Sequence, residues 1–228
     1  MRNFRRKSAA LLFCVLSSSL VASPSEAATA PPVPTNLAVE IALQRFGAPT
    51  GTADGVLDQK ARRGLCVWRE LTKHKPTRAL PTDYERQLIV AAPKPTIPYY
   101  MVTGLNINRA CQSLTWVAFN PVTRMRFVKA TFPVSTGQPS FPTASGHFKI
   151  YFTVNRWQES TLYPGAMMYR PMYFHGGMAV HGSATDALVM TYPASHGCVR
   201  ALHRDIDRMW TEGVGRGTPV YVYGTYVF

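Results

Sequence analysis

The rhythm of apolar and polar positions changes near residue 95. In "NLAVEIALQRFG", Leu37 and Ile41, with Val39 and Ala42 beside them, recur at helical spacing. Asn36 stands where a cap is wanted and Gly47 where the helix should end. After the turn-rich "APTGTADGV", Ala61, Leu65, Trp68 and Leu71 share one helical face, with Arg62, Arg63, Arg69 and Glu70 mostly off it. "PTDYERQLIVAA" predicts a short third helix beginning at Pro81, with Asp83 near its start. Residues 36–95 therefore read as a small three-helix domain.

Beyond the Pro-rich joint "APKPTIP", the pattern becomes that of strands. "YYMVTGLNIN", "SLTWVAF", "MRFVKATFPVS" and "GHFKIYFTV" are rich in Val, Phe, Tyr and Thr, with "NPVT" and "STGQPSFPTASG" as turns between them. "MAVHGS" and "PVYVYGTYVF" add two more, and all are expected to pair antiparallel. A short helix is expected over residues 205–211. No internal repeat, heptad or low-complexity block interrupts the pattern. The fold class is α+β, mainly β, with residues 96–228 forming the β-rich domain.

The first residues add a compartment. Arg2, Arg5, Arg6 and Lys7 precede the apolar "AALLFCVLSSSLVA", and small residues follow at Ser25 and Ala27. This is a secretory signal pattern over residues 1–27, followed by a Pro-rich linker at 28–35. The apolar run is too short and serine-rich for a stable transmembrane anchor, which needs about 20 residues. The formal net charge of +13 on the full sequence stays strongly positive without the signal segment, and an exported protein is poorly matched to nucleic acid. A polyanionic envelope or an acidic peptide substrate suits the charge better, unless the charge serves only solubility.

Without the signal segment, Cys66, Cys111 and Cys198 remain. An oxidising exterior favours pairing, and an odd number leaves one thiol over. In "YPASHGCVRALH", Cys198 could be half of a disulfide, a metal ligand, a buried small residue or a nucleophile. As a nucleophile it needs an imidazole to take its proton. His181, in "MAVHGS", can face it if the intervening loop turns back. Gly197 would permit a tight bend and close approach of a carbonyl to backbone N–H groups. His181, His196 and Cys198 are also competent zinc ligands. However, no C-x-x-C or H-E-x-x-H pattern accompanies them and no fourth ligand is evident, so neither metal nor cofactor is expected.

His181-Gly182-Ser183, a loop, and then Ser195-His196-Gly197-Cys198-Val199-Arg200 resemble the signature of the L,D-transpeptidases, the YkuD-type domain. The resemblance spans about residues 99–223. It includes "TFPVSTGQ", "TASGHFKI" (with Ala144 where the family has Pro) and "GVGRGTPVYVY". "ALHRD", after Arg200, departs from the family's pattern. The resemblance implies a β-sandwich catalytic domain with a short helix. It implies Cys198 as nucleophile, His181 as general base and then acid, and the Gly182 carbonyl as the group orienting the imidazole. His196, Gly197 and the Cys198 N–H would shape an oxyanion site, while Ser195 and Arg200 would order the loop or bind a substrate carboxylate.

The substrate implied is a peptidoglycan stem peptide, cut with release of D-Ala and joined to a neighbouring stem amine, or hydrolysed if water is the acceptor. A non-catalytic wall-binding protein is the alternative from another class. Tyr169, Tyr173, Phe174 and His175 precede the motif and are candidates either for lining the cleft or for packing. His147 and His203 are expected at the surface. If Cys198 stays free for catalysis, Cys66 and Cys111 are left to pair, or remain as two buried thiols. "ALQRFGAPTGTADGVLDQKARRGLCVWREL" resembles a peptidoglycan-binding helical domain, although "LDQK" stands where Gly-x-x-Thr is common. Glycan contact by this segment is thus a possible further role.

Overall fold

The computed structural model describes residues 31–91 and 93–226, so the expected signal segment lies outside the described residues. Three helices come first: α1 (Asn36–Phe46), α2 (Gln59–Leu71) and α3 (Asp83–Val90). Thr35 caps α1, its hydroxyl accepting from the Ala38 N–H at 3.2 Å, which places the cap one residue before Asn36. Thr82 and Glu85 form a reciprocal capping box on α3. The buried face of α1 is Val39, Ala42 and Leu43, whereas Leu37 is exposed. The apolar stripe expected at Leu37 and Ile41 is therefore rotated.

Ala61, Leu65, Trp68 and Leu71 are buried as their spacing predicts. Arg63, Arg69 and Glu70 are buried as well, because α2 is covered on nearly every side. Arg69 resolves its charge with a fork of bonds to Glu85 at 2.8 and 2.9 Å. Glu70 Oε1 accepts from Asn108, Tyr100 and Tyr223, which ties α2 to the sheet.

The strands are β1 (Gly104–Asn108), β2 (Ser113–Asn120), β3 (Met125–Ser135), β4 (Gly146–Lys149) and β5 (Phe152–Thr153). They continue with β6 (Trp157–Glu159), β7 (Met167–His175), β8 (Met178–Gly182), β9 (Val199–Ala201) and β10 (Pro219–Tyr223). They form one sheet in the order β4-β10-β1-β2-β3-β9-β8-β7-β5, with β6 beside β7. The sheet curls so that its ends meet: Phe148 on β4 lies 5.6 Å from Phe174 on β7. The core, including Leu105, Ile107, Leu114, Val134, Met172 and Val180, fills the curl. The last helix, α4 (His203–Thr211), closes it with Ile206 and Met209.

Not every pairing is antiparallel. β1 runs parallel to β10, and β8 runs parallel to β9. Parallel neighbours require a long crossover, and the β8–β9 crossover is the connection that carries the chain from His181 to Cys198. β7 contains a register break between Tyr169 and Met172, with Arg170 at φ 47°. That irregularity hides β7 from a simple alternation pattern.

Cys66 on α2 and Cys111 in the β1–β2 turn form a disulfide, both fully buried. The bond joins the helical segment to the sheet and leaves Cys198 as the free cysteine among the described residues. No helix among the described residues is long and apolar enough to cross a membrane.

Candidate active site

Cys198 stands at the entrance to β9 and His181 near the end of β8. The parallel register sets His181 opposite Arg200 and Val180 opposite Val199. Val180 and Val199 point into the core, so alternation sends His181, Arg200 and Cys198 to the other face. There they line a cleft of about 180 Å³, together with Ser195 and His196.

The imidazole of His181 is 5 % exposed. Its Nδ1 lies 2.8 Å from the Gly182 carbonyl oxygen, an acceptor that requires the Nδ1–H tautomer and leaves Nε2 as the basic nitrogen. Burial lowers its pKa to about 4, with the Arg200 charge acting in the same direction and the Gly182 hydrogen bond opposing both. Burial likewise raises the pKa of the Cys198 thiol, against the Ala179 N–H, which donates to Sγ at 3.4 Å, and against Arg200. At neutral pH the cleft thus holds a thiol and a neutral imidazole.

The turn holding the thiol is braced internally. Ser195, 1 % exposed, accepts from the Gly197 N–H at 3.2 Å and donates to the Cys198 carbonyl. Thr143 accepts from Gly137 N–H and donates to the Gly197 carbonyl, both at 2.8 Å. Gly197 has φ 108°, a conformation that side-chain-bearing residues resist. Ser195 therefore orders the loop. Arg200 Nη1 donates to the Ala194 carbonyl at 3.3 Å, and the residue borders the cleft.

His196 is exposed and its ring stacks on Tyr163 at 4.5 Å, with Phe141 5.1 Å away. Tyr163 belongs to the β6–β7 loop, which supplies one wall of the cleft through Ser160, Tyr163 and Ala166. Among the residues expected near substrate, Phe174 lies in the core at 3 % exposure. His175 is exposed and packs on Phe148 at 4.6 Å, and Tyr169 donates its hydroxyl to Asp207 at 2.8 Å. On β7 it is Met167 and Met168, before the register break, that line the cleft; Tyr163 and Leu188 complete its apolar side. The motif carries no signal for these residues, since they reach the cleft only through the curl of the sheet.

His203, expected at the surface, is a structural brace. Its Nε2 lies 2.6 Å from the Ser183 carbonyl, and its backbone N–H donates to Asp186 at 2.8 Å. The segment "ALH" thus supports the end of β8 from behind. Among the described residues, no cluster of three or more His, Cys, Asp or Glu could hold a metal ion.

The L,D-transpeptidase catalytic domain model of the YkuD family matches residues 105–222. The chain belongs to the YkuD family. Its fold is similar to that of an L,D-transpeptidase from Xylanimonas cellulosilytica, at 27 % identity and TM-score 0.58, over 86 % of this chain and 99 % of that one. An L,D-transpeptidase from Stackebrandtia nassauensis shares the fold at 20 % identity and TM-score 0.50, over 84 % of this chain and 91 % of that one. No curated protein sequence matches the chain. The YkuD match begins at β1, so the helical segment before it lies outside the matched residues.

Proposed function

We propose that this protein is an exported, cysteine-dependent peptidoglycan L,D-transpeptidase of the bacterial cell envelope. The observation that carries the mechanism is the His181 Nδ1 contact with the Gly182 carbonyl, which turns the basic Nε2 toward the cleft it shares with Cys198.

His181 Nε2 removes the proton from Cys198 as sulfur attacks the carbonyl between stem residues three and four. The Cys198 N–H, with help from the His196 turn, stabilises the oxyanion; the Gly197 N–H is already engaged by Ser195. The imidazolium then protonates the departing D-Ala amine, leaving a thioester on Cys198. An amine from a neighbouring stem attacks that thioester, His181 accepts the amine proton and returns it to the Cys198 sulfur as the C–S bond breaks, and a 3→3 cross-link is released. The Gly182 carbonyl takes the orienting role that a carboxylate plays in other triads. The positive charge of Arg200 at the cleft suits the carboxylates of a stem peptide. Water as acceptor would make the same site an L,D-carboxypeptidase, and glycan contact is proposed for the helical segment.

Intact-mass measurement after incubation with a carbapenem tests the nucleophile. One adduct on the native chain, absent from Cys198→Ala, is expected; an unmodified native chain leaves the non-catalytic wall-binding alternative. Incubation with disaccharide-tetrapeptide then gives dimers from a transpeptidase and tripeptides from a carboxypeptidase.

A further inference from the structure

A second, larger cleft of about 800 Å³ lies between the helical segment and the sheet. Its walls are the α1–α2 loop, the start of α2, part of β3, residues 186–192 and the start of α4. It shares residues 186–192 with the catalytic side. Leu188 faces the catalytic cleft, while Ala187 and Val189 line the larger one.

Two cations of the larger cleft, Arg63 and Lys60, make no ion pair among the described residues, whereas Arg204 and Arg208 pair with Asp205 and Glu212. Arg63 lines it at 3 % exposure, and its guanidinium donates from Nη2 to the Met190 carbonyl at 2.7 Å. Its Nε has no partner, and among the described residues no carboxylate lies within ion-pair range of the guanidinium. A buried guanidinium without a direct ion pair is costly; Arg78 nearby adds to the positive field, and Asp58, beyond ion-pair range, offsets it in part. Lys60, exposed on the same wall, makes no ion pair among the described residues either.

The cleft's acidic groups are directed elsewhere: Asp205 Oδ1 lies 3.7 Å from Arg204 Nε. Asp186 accepts from the His203 N–H at 2.8 Å. Asp205, 8 % exposed, has an unpartnered Oδ2, and burial lifts its pKa to about 6, so at mildly acid pH it also becomes a donor. A saccharide would need acceptors to match its hydroxyl donors. The cations without ion pairs, Arg63 and Lys60, instead fit carboxylate, a group that only accepts.

We infer that the larger cleft binds a carboxylate-bearing peptide, held by Arg63 and Lys60. The volume suits several residues and exceeds the needs of a lone anion. Under the function proposed above, such a peptide is a second stem of the wall polymer. Its occupancy would press on residues 186–192, the connection between His181 and Cys198, from the side opposite the catalytic cleft.

The test is backbone amide NMR of the mature chain titrated with an L-Ala-D-Glu-L-Lys-D-Ala peptide. The same peptide with its carboxylates amidated and a peptide-free glycan oligomer serve as comparisons. Shifts at Gly51, Thr52, Thr191 and Tyr192, at least tenfold weaker binding of the amidated peptide, and at least tenfold weaker binding to Lys60→Glu are expected. Shifts confined to residues 195–198, equal binding of the amidated peptide, no effect of Lys60→Glu, or tighter binding of the glycan would each overturn the inference. Carbapenem acylation of the same wild-type sample separates the two ideas. Acylation without shifts in the larger cleft sinks this inference alone, whereas shifts without acylation sink the transpeptidase reading alone.

Discussion

The His203 ring occupies the space that a side chain on Gly182 would need: an added Cβ would meet His203 Cδ2 at 2.4 Å and Tyr169 Cβ at 3.1 Å. Gly182 also supplies the carbonyl that orients His181. The close approach of His203 is thus what requires glycine at the position whose carbonyl holds the His181 ring. Gly182→Ala is expected to slow carbapenem acylation on the order of 100-fold, since displacements of about 1 Å at a reacting group can cost that much. His203→Ala in the same chain should recover part of the loss by making room. Equal rates for the single and double variants would show that the ring contact is not the cause.

Cys198→Ala and His181→Gln should each abolish acylation, because the two act as one unit and their losses do not add. Stability should respond differently. Cys198→Ala removes a small side chain at the cleft rim and should keep its melting temperature within a few degrees. A variant that loses acylation only because it unfolds would be exposed by its circular dichroism.

His181 is held neutral by burial, with a folded pKa of about 4 against an ordinary imidazole value of 6.5. Its acylation limb should therefore fall near pH 4, and the rate should be nearly flat between pH 5.5 and pH 7 if His181 protonation sets it. The same shift affects stability. Between pH 6.5 and pH 4 the unfolded chain binds a proton that the folded chain does not, so stability from this group is lost as pH falls. The full loss is about 3 kcal/mol at 1.36 kcal/mol per pKa unit. Urea denaturation of wild type and His181→Gln across this window should show the wild type losing more, and parallel curves would remove His181 as the cause.

Glu70 is buried with Oε2 unpartnered, and desolvation raises its pKa despite the hydrogen bonds from Tyr223, Tyr100 and Asn108. A raised folded pKa means stability present at low pH and lost as pH rises above the unfolded value of 4.5. Glu70→Gln keeps an acceptor for these donors and removes the charge. It should therefore be more stable than wild type at pH 8, with the advantage shrinking toward pH 4. Glu70→Ala should cost about 1–3 kcal/mol by orphaning the donors. Thermal melts of both variants at two pH values decide the matter, and an alanine variant as stable as the glutamine one would refute the bridging role.

Reduction of Cys66–Cys111, which closes a separation of 45 residues, should lower stability by about 4 kcal/mol on the chain-entropy account. The Cys66→Ala/Cys111→Ala variant in urea measures the effect without touching Cys198. A loss below about 1 kcal/mol would show that the buried neighbours hold the helical segment without the bond.

Much of the site was legible because its chemistry is compact in sequence. His181, Gly182 and residues 195–200 sit on two adjacent parallel strands, and a signature over those strands reads them together. Most long alternating strands were legible for the same local reason. β7 was not, because the Arg170 irregularity breaks its alternation, and β9 was not, because three residues are too few to show a period. The parallel pairing, the buried charges of α2 and the roles of Thr143, Tyr163 and His203 arise from tertiary packing. Phe174 shows the converse: an aromatic run beside the motif suggested substrate contact, but the pleat turns that ring into the core.

Arg63 and Arg78 on the helical side donate to the carbonyls of Met190 and Thr191, within the crossover that links His181 to Cys198. A recombinant fragment trimmed to residues 105–222 would retain every residue of the signature. It would nevertheless lose both of these tethers. It would also carry Cys111 without Cys66, so a thiol titration of the fragment would count a second sulfur alongside Cys198. For this chain, the shortest piece that contains the motif is a poor reagent for measuring what the motif does.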